Sequence, residues 1–477
     1  MTALRYTATF LERDFAAMND FLFQDYAVER AAILRCRTSV TDDEVRFLVR
    51  AIHCFDGADL NHATEHDVSI KSTAFMPVLK AADRSREAII FVHTHPGGAA
   101  FFSPQDNRTE PPFFRTAFTR INDAPAHGSL IFSDPSTFVG RVWLPDGSTA
   151  PVTDLRVIGD RWRFMRSATA HDPLPEFFDR QVRAFGPDLQ RVLGYLHVGV
   201  VGAGGTGSPT IEQLIRLGVG TLTVIDDQAF ERSNVNRVYN AGVGDDGTPK
   251  VDIVRRTVAA IGLGTKLQTI QGRITQESVA KSLRACDVIF GCTDDNWGRA
   301  VLNALALRYL IPILDMGVKI TSEDGAITQV IGRVTTLLPG NACLHCRRRI
   351  DPERARQESL HPDELARLRG LGYAQGLDEP APAVVSFTSF IAATATTEFL
   401  HHLTGFMGDD SIPGEILHYF VDRRMSTNRG QPQPECACQN PQVWGAGDTR
   451  LFLDMTWPEA SLDPLDSVMP NAEMPAA

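Results

Sequence analysis

The chain contains no apolar run of the roughly 18 residues needed to cross a bilayer. Its first 21 residues carry Arg5, Glu12, Arg13, Asp14 and Asp20, where a secretory signal needs an unbroken apolar stretch. No membrane-bound class is expected, and the reading is a cytoplasmic protein. Cysteine is scarce: 8 in 477 residues, with Cys36 and Cys54 isolated in apolar runs, which argues against a disulfide scaffold. Basic charge is in deficit, 47 Lys and Arg against 58 Asp and Glu. The net charge of -11 excludes a protein whose surface coats nucleic acid or an anionic membrane and leaves room only for local basic pockets. Internal repeats are also missing. What the chain does have is an ordinary globular balance, 43% hydrophobic and 22% charged, over a length that predicts two or three domains.

Along the chain the pattern changes once. Up to residue 160, "ERAAILRC", "EVRFLVRAIHCF" and "EAIIFVHTH" read as strands and "STAFMPVLKAADRS" as a helix, giving a mixed α/β domain. Residues 161–176, with the small and Pro-bearing "SATAHDPLPE", read as a linker. From 177 to 440 short β-branched runs ("LHVGVVG", "GTLTVIDD", "ACDVIFGCTD", "YLIPILDMG") alternate with amphipathic stretches, as in a Rossmann-like, doubly wound parallel sheet. The fold class is therefore α/β throughout. Residues 351–385 read as a polar surface loop around a short helix, "SFTSFIAATATTEFLHHLTG" as a packed helix ending at Gly405, and 441–477 as a disordered tail.

In "FVHTHPGGAAFFSPQD" two histidines one residue apart on a strand share a face, so His93 and His95 converge. Pro96-Gly97-Gly98 then breaks the strand, and Ser103-Pro104 opens a helix that returns Asp106 as a third ligand. Two imidazoles and a carboxylate suit zinc with a position open for water, the arrangement of a hydrolytic site. That chemistry needs a carboxylate to move a proton to the leaving amine. Glu29 is the first candidate and Glu44 the second.

Glu29, His93, His95, Pro96, Ser103 and Asp106 together resemble the JAB/MPN metalloprotease family and its JAMM motif. The resemblance implies zinc on His93, His95 and Asp106, Glu29 as general base and acid, and Ser103 helping to hold the tetrahedral intermediate. It also implies cleavage after the C-terminal glycine of ubiquitin or a ubiquitin-like protein.

"VGAGGTGSPTIEQLIRLGVG" reads as strand, glycine loop and helix. Gly202, Gly204, Gly205 and Gly207 would let a phosphate approach the backbone at the helix N-terminus. Asp226, ending the next strand, is placed for a ribose hydroxyl, which suits NAD and ATP alike. Asn234, Asn236, Arg237 and Lys250 add more phosphate-binding groups than a nicotinamide site needs. Asp294, at another strand end, is placed for magnesium on a triphosphate.

This set resembles the adenylating domain shared by ubiquitin-activating enzymes and sulfur-carrier activators of the ThiF/MoeB type, over about residues 177–440. The resemblance implies ribose contact by Asp226, phosphate contacts by Asn234, Arg237 and Lys250, and Mg-ATP contact by Asp294. "FFDRQVRAFG" matches the entry helix, whose arginine, here Arg180, would reach the partner subunit's ATP site in a homodimer. "ACLHC" (Cys343, Cys346) and "ECACQ" (Cys436, Cys438) resemble a structural zinc clip, the second pair being C-x-C where C-x-x-C is usual. The crossover loop carries no acceptor cysteine. The expectation is an enzyme that stops at the acyl adenylate or hands it to a conjugating enzyme or other thiol in trans.

Taken together these resemblances imply a bacterial module that trims or removes a ubiquitin-like protein and adenylates its C-terminal glycine, a setting associated with phage defence. Two alternatives remain: sulfur-carrier activation for cofactor biosynthesis, and an NAD-dependent oxidoreductase with a non-catalytic metal-binding domain.

Overall fold

The computed structural model describes residues 4–167, 173–360, 362–371, 382–408 and 413–457. The first sheet is built from β1 (Arg5–Leu11), β2 (Ala31–Val40), β3 (Glu44–Phe55), β6 (Ala88–Thr94), β7 (His127–Asp134), β8 (Thr137–Trp143), β9 (Thr149–Ile158) and β10 (Arg163–Arg166); β4 (Leu60–Ala63) and β5 (Val68–Ile70) form a separate hairpin. The strand order is β1-β3-β2-β6-β7-β8-β9-β10, and β1 also pairs with β9, so the sheet curls back on itself. The apolar run of β6 supplies Ala88, Ile89, Ile90 and Val92 to the core. Helix Ser72–Arg84 covers it with Val78, Leu79 and Ala82, positions that share one helical face.

The second sheet takes β11 (His197–Val201), β12 (Thr221–Ile225), β13 (Lys266–Ile270), β14 (Val288–Gly291), β15 (Ile313–Glu323), β16 (Ala326–Leu337), β17 (Glu415–Tyr419) and β18 (Arg424–Asn428), ordered β13-β12-β11-β14-β15-β16-β17-β18. The pairings from β13 through β15 are parallel and the rest antiparallel. Order 3-2-1-4 around β11 is the doubly wound arrangement that the alternating pattern predicts, with its ligand crevice at the carboxyl ends of the central strands. The long helix Val385–Thr404 packs across this sheet and ends where Gly405 turns left-handed at φ 74°.

The two units share a buried, charged joint. Arg46 donates to Cys286 O at 3.0 Å and to Glu44 Oε2 at 2.9 Å. Arg156 donates to Asp287 Oδ1 at 2.6 Å and lies 2.9 Å from Glu44 Oε1. All four side chains are buried. Beside them the Trp162 ring stacks on His402 at 4.2 Å, and Leu11 and Leu48 join the core of the second unit.

Three sequence expectations are corrected here. The linker expected over 161–176 does not begin at 161: Trp162 is 1% exposed and β10 pairs with β9, because the aromatic and basic residues of "RWRFMR" find partners. The tail expected to be disordered from 441 is ordered through 457, since Trp444, Phe452 and Trp457 bury their rings and Asp448 accepts from Arg284 Nη1 and Tyr309 Oη. Residues 458–477 lie outside the described residues. The loop expected around one short helix at 351–385 holds two, Pro352–Glu358 and Pro362–Gly370, and 372–381 lie outside the described residues.

Candidate functional site

Strand β6 carries His93 and ends at Thr94, His95 following directly on the same side, and the register Ala31↔His93 sets the residues entering β2 beside them. Glu29 is pinned there by its N–H to Thr64 O at 2.7 Å. After His95, Gly97 turns left-handed at φ 71° and the chain returns through Ser103 into helix Asp106–Arg120. The result brings four expected residues together. His93 Nε2 lies 3.2 Å from Asp106 Oδ1, and His95 Nε2 lies 3.6 Å from Glu29 Oε1 and 3.7 Å from Asp106 Oδ2. Ser103 N donates to Asp106 Oδ2 at 2.7 Å while Ser103 Oγ accepts from Asp106 N at 3.1 Å, a reciprocal cap that aims the carboxylate.

These donors fit a dication. His93 is 2% exposed, yet neither of its ring nitrogens makes a hydrogen bond. A buried imidazole without a partner is costly unless something else takes its lone pair. Burial lowers the His95 pKa, which favours the neutral, ligating form. Although burial opposes it, the adjacent His93 ring and bonds from Ser103 hold Asp106 well below the usual carboxylate range. Glu29 behaves differently: burial pushes it up to about 7, where a carboxyl can both take and give a proton near neutrality. Glu44, the second candidate base, is overturned. It sits in the joint between Arg46, Arg156 and Thr7, and those cations hold it ionised despite burial.

The four clip cysteines also converge. Their sulfurs all lie within 4.8 Å of one another, with Cys343 to Cys436 at 3.5 Å and Cys346 to Cys438 at 3.6 Å. The C-x-C spacing thus closes the set as well as C-x-x-C would. A bond from Cys438 holds the Cys343 thiol down at about 4, and burial raises Cys436 to about 11. Four sulfurs so close share protons that a dication would displace.

In the nucleotide cradle the backbone is the fixed part. Gly202 is left-handed at φ 96°, and a Cβ on Gly207 would stand 1.8 Å from Gly202 O. A Cβ on Gly204 would meet nothing within 4 Å, so the loop's open side lies there. Asp226 accepts from Ala203 N at 2.7 Å and Gln228 N at 2.9 Å, which ties the end of β12 to the loop. Burial raises its pKa and Lys250 opposes the rise. Lys250 donates to Gln228 Oε1 at 2.6 Å, Arg237 lies over Gly205 and donates to Ser233 O at 2.7 Å, and Asn234 is buried beside them. Asp294 is exposed three residues beyond β14, which pairs with β11 through Val201↔Gly291. Arg180 is not in this cradle. Its helix, Asp179–Phe185, packs at the far end of helix Gly207–Leu217, where Gln181 donates to Arg216 O, about 16 Å away at 1.5 Å per residue.

Two groups escaped the sequence reading. Glu358 accepts from Asn296 N at 2.6 Å and Trp297 N at 2.8 Å, capping the helix that follows Asp294 from a segment expected to be loop. Glu110 is buried one helical turn after Asp106, and that i, i+4 spacing was the only signal available.

Fold and site define a Rossmann-like α/β domain with a glycine-rich cradle joined to a mixed α/β domain with a histidine–carboxylate cluster. The ThiF family matches residues 178–440, so the chain belongs to that family, and residues 11–128 match prokaryotic homologs of the JAB domain. Similar proteins include the SAMP-activating enzyme E1 of Haloferax volcanii, 33% identical over 161 residues, 34% of this chain and 56% of that one. The sulfur carrier protein ThiS adenylyltransferase of Bacillus subtilis is 27% identical over 164 residues, 34% of this chain and 46% of that one. The molybdopterin-synthase adenylyltransferase of Escherichia coli is 28% identical over 182 residues, 37% of this chain and 70% of that one. The chain thus spans about half the length of the first two relatives. Among the described residues no helix is long and apolar enough to cross a membrane.

Proposed function

We propose that the chain is a bifunctional enzyme of a bacterial ubiquitin-like pathway. One half adenylates the C-terminal glycine of a ubiquitin-like protein with ATP; the other is a zinc-dependent protease that processes the precursor or removes the modifier. The observation that carries this reading is the presence, in one chain, of the Glu29, His93, His95 and Asp106 cluster and a ThiF-family glycine cradle.

In the protease half His93, His95 and Asp106 would hold zinc, which when bound supplies a water acidified towards neutrality. Glu29 takes the proton of the attacking water and returns it to the leaving amine, and Ser103 Oγ donates to the developing oxyanion. In the adenylating half Gly202, Gly204, Gly205 and Gly207 admit the phosphates and Asp226 accepts from a ribose hydroxyl. Asn234, Arg237 and Lys250 would bind the phosphates, and Asp294 would hold magnesium. The modifier's carboxylate attacks the α-phosphorus, one P–O bond forms as another breaks, and pyrophosphate leaves. Cys343, Cys346, Cys436 and Cys438 would hold a structural zinc. Arg180 serves the partner's cradle in a homodimer, and the adenylate passes to a conjugating enzyme or other thiol in trans.

Sulfur-carrier activation is the second reading. The names of the Bacillus and Escherichia relatives favour it, and it shares the first reaction. The NAD reading has no support among these relatives. The test is ATP–pyrophosphate exchange with the ubiquitin-like protein encoded nearest the gene, with and without Asp294→Ala. Exchange that needs both the modifier and Asp294 supports activation; hydride transfer to NAD without exchange overturns it.

A further inference from the structure

Residues 96–103, between His95 and the helix bearing Asp106, form neither helix nor strand. Gly97, Gly98, Ala99 and Ala100 offer almost no side chain to pack, and Phe101 is 53% exposed. Such a segment has little of its own to fix the Ser103–Asp106 cap in place. The tether comes from behind, from β8. Glu110, 3% exposed, accepts from Ser129 Oγ at 2.6 Å through one oxygen, and from Arg141 Nε at 2.8 Å and Trp143 Nε1 at 2.9 Å through the other. Arg141 in turn donates to Asn107 Oδ1 at 2.6 Å, and its guanidinium lies 3.9 Å over the ring of Phe102. One side chain therefore grips the residue before Ser103 and the residue after Asp106, while Glu110 fixes that side chain.

Stability does not explain the arrangement. A buried ion pair gives little net stability over apolar residues of the same volume. What the Glu110–Arg141 pair does supply is a fixed geometry, and here the fixed object is the segment proposed to carry a metal ligand.

We propose that Glu110 and Arg141 are positioning residues for the metal centre, holding residues 102–107 so that Asp106 converges with His93 and His95. The proposal rests on the reading that these three residues hold a metal.

The test uses full-length protein stripped of metal and titrated with Co2+, with His95→Ala as the reference lacking the histidine centre. Subtracting that reference removes the cysteine clip, whose thiolates bind cobalt independently. Glu110→Gln is expected to weaken cobalt at the histidine centre by about 10- to 100-fold and to shift its visible bands. Phe102→Ala leaves all three Glu110 bonds intact and removes only the stacked ring. It is expected to shift affinity the same way by a smaller factor, and it carries the test if Glu110→Gln does not fold. Unchanged affinity and bands in the folded variants, with only the urea midpoint moved, would overturn the positioning role. A wild-type spectrum identical to that of His95→Ala would instead remove the metal reading and the proposal with it.

Discussion

At the histidine–carboxylate cluster four side chains from three segments already stand 3.2 to 3.7 Å apart, whereas at the glycine cradle the charges expected to bind phosphate are engaged elsewhere. Lys250 is held by Gln228, Arg237 by the Ser233 carbonyl, and Asp294 is exposed. Only the glycine backbone and Asp226 are fixed there. One site is fixed through buried side chains; the other fixes its backbone and leaves its charged side chains on protein partners or in solvent. Each is remote from the joint. Along β2, Ser39, paired with Arg46, is eight residues from Ala31, paired with His93, about 26 Å at 3.3 Å per residue. Along helix Val385–Thr404, His402 at the joint is 14 residues from Thr388 at Gly205, about 21 Å.

The contrast breaks most visibly at the cradle's backbone. Gly207→Ala drives a methyl into Gly202 O and is expected to weaken ATP binding by more than about 100-fold, roughly 2.7 kcal/mol. Gly204→Ala should fold with wild-type stability, since its methyl meets nothing. Calorimetric titration and melting of both variants check this, and normal ATP binding by Gly207→Ala would refute a backbone-built cradle. Next in size is the joint. Asp287→Ala leaves Arg156 buried without its 2.6 Å partner and is expected to cost about 3–5 kcal/mol in urea unfolding. A loss below about 1 kcal/mol would mean that the Arg156–Asp287 pair adds little to holding the two halves together.

The smallest effect is a pH slope. Burial lowers His402 to about 4, against 6.5 for a free imidazole. The unfolded chain therefore takes up this proton first as pH falls, so the stability is whole above about 6.5 and is lost as pH falls towards about 4. His402→Phe keeps a ring against Trp162 and should flatten the slope by no more than about 1.4 kcal/mol per pH unit. Urea midpoints at pH 7 and pH 5 decide it; an unchanged slope would show that His402 takes up its proton as readily in the folded protein as in the unfolded chain.

How much the sequence made legible differs between the sites for the same physical reason. His93, His95 and Asp106 converge because strand alternation and a helix start are local rules, and Glu29 follows from its place at the entry to a neighbouring strand. Glu44 was misread because a carboxylate before an apolar strand looks the same whether it faces a metal or an arginine. Its environment depends on Arg46 and Asp287, and Arg46 bonds across 240 positions of sequence. Gly405 was legible as a helix stop because a left-handed cap is glycine's own territory. The order of residues 441–457 was hidden because Pro and Asp content outweighed Trp444, Phe452 and Trp457 in the composition. Those rings matter only once Tyr309 and Trp297 are there to meet them.

The account stands on two chemically independent sites in one chain. It is tested most directly by assaying His95→Ala and Asp294→Ala, as full-length proteins, for both cleavage of a C-terminally extended ubiquitin-like precursor and modifier-dependent ATP–pyrophosphate exchange. The account predicts that His95→Ala loses cleavage and keeps exchange while Asp294→Ala does the reverse; loss of both activities from either single change would contradict it.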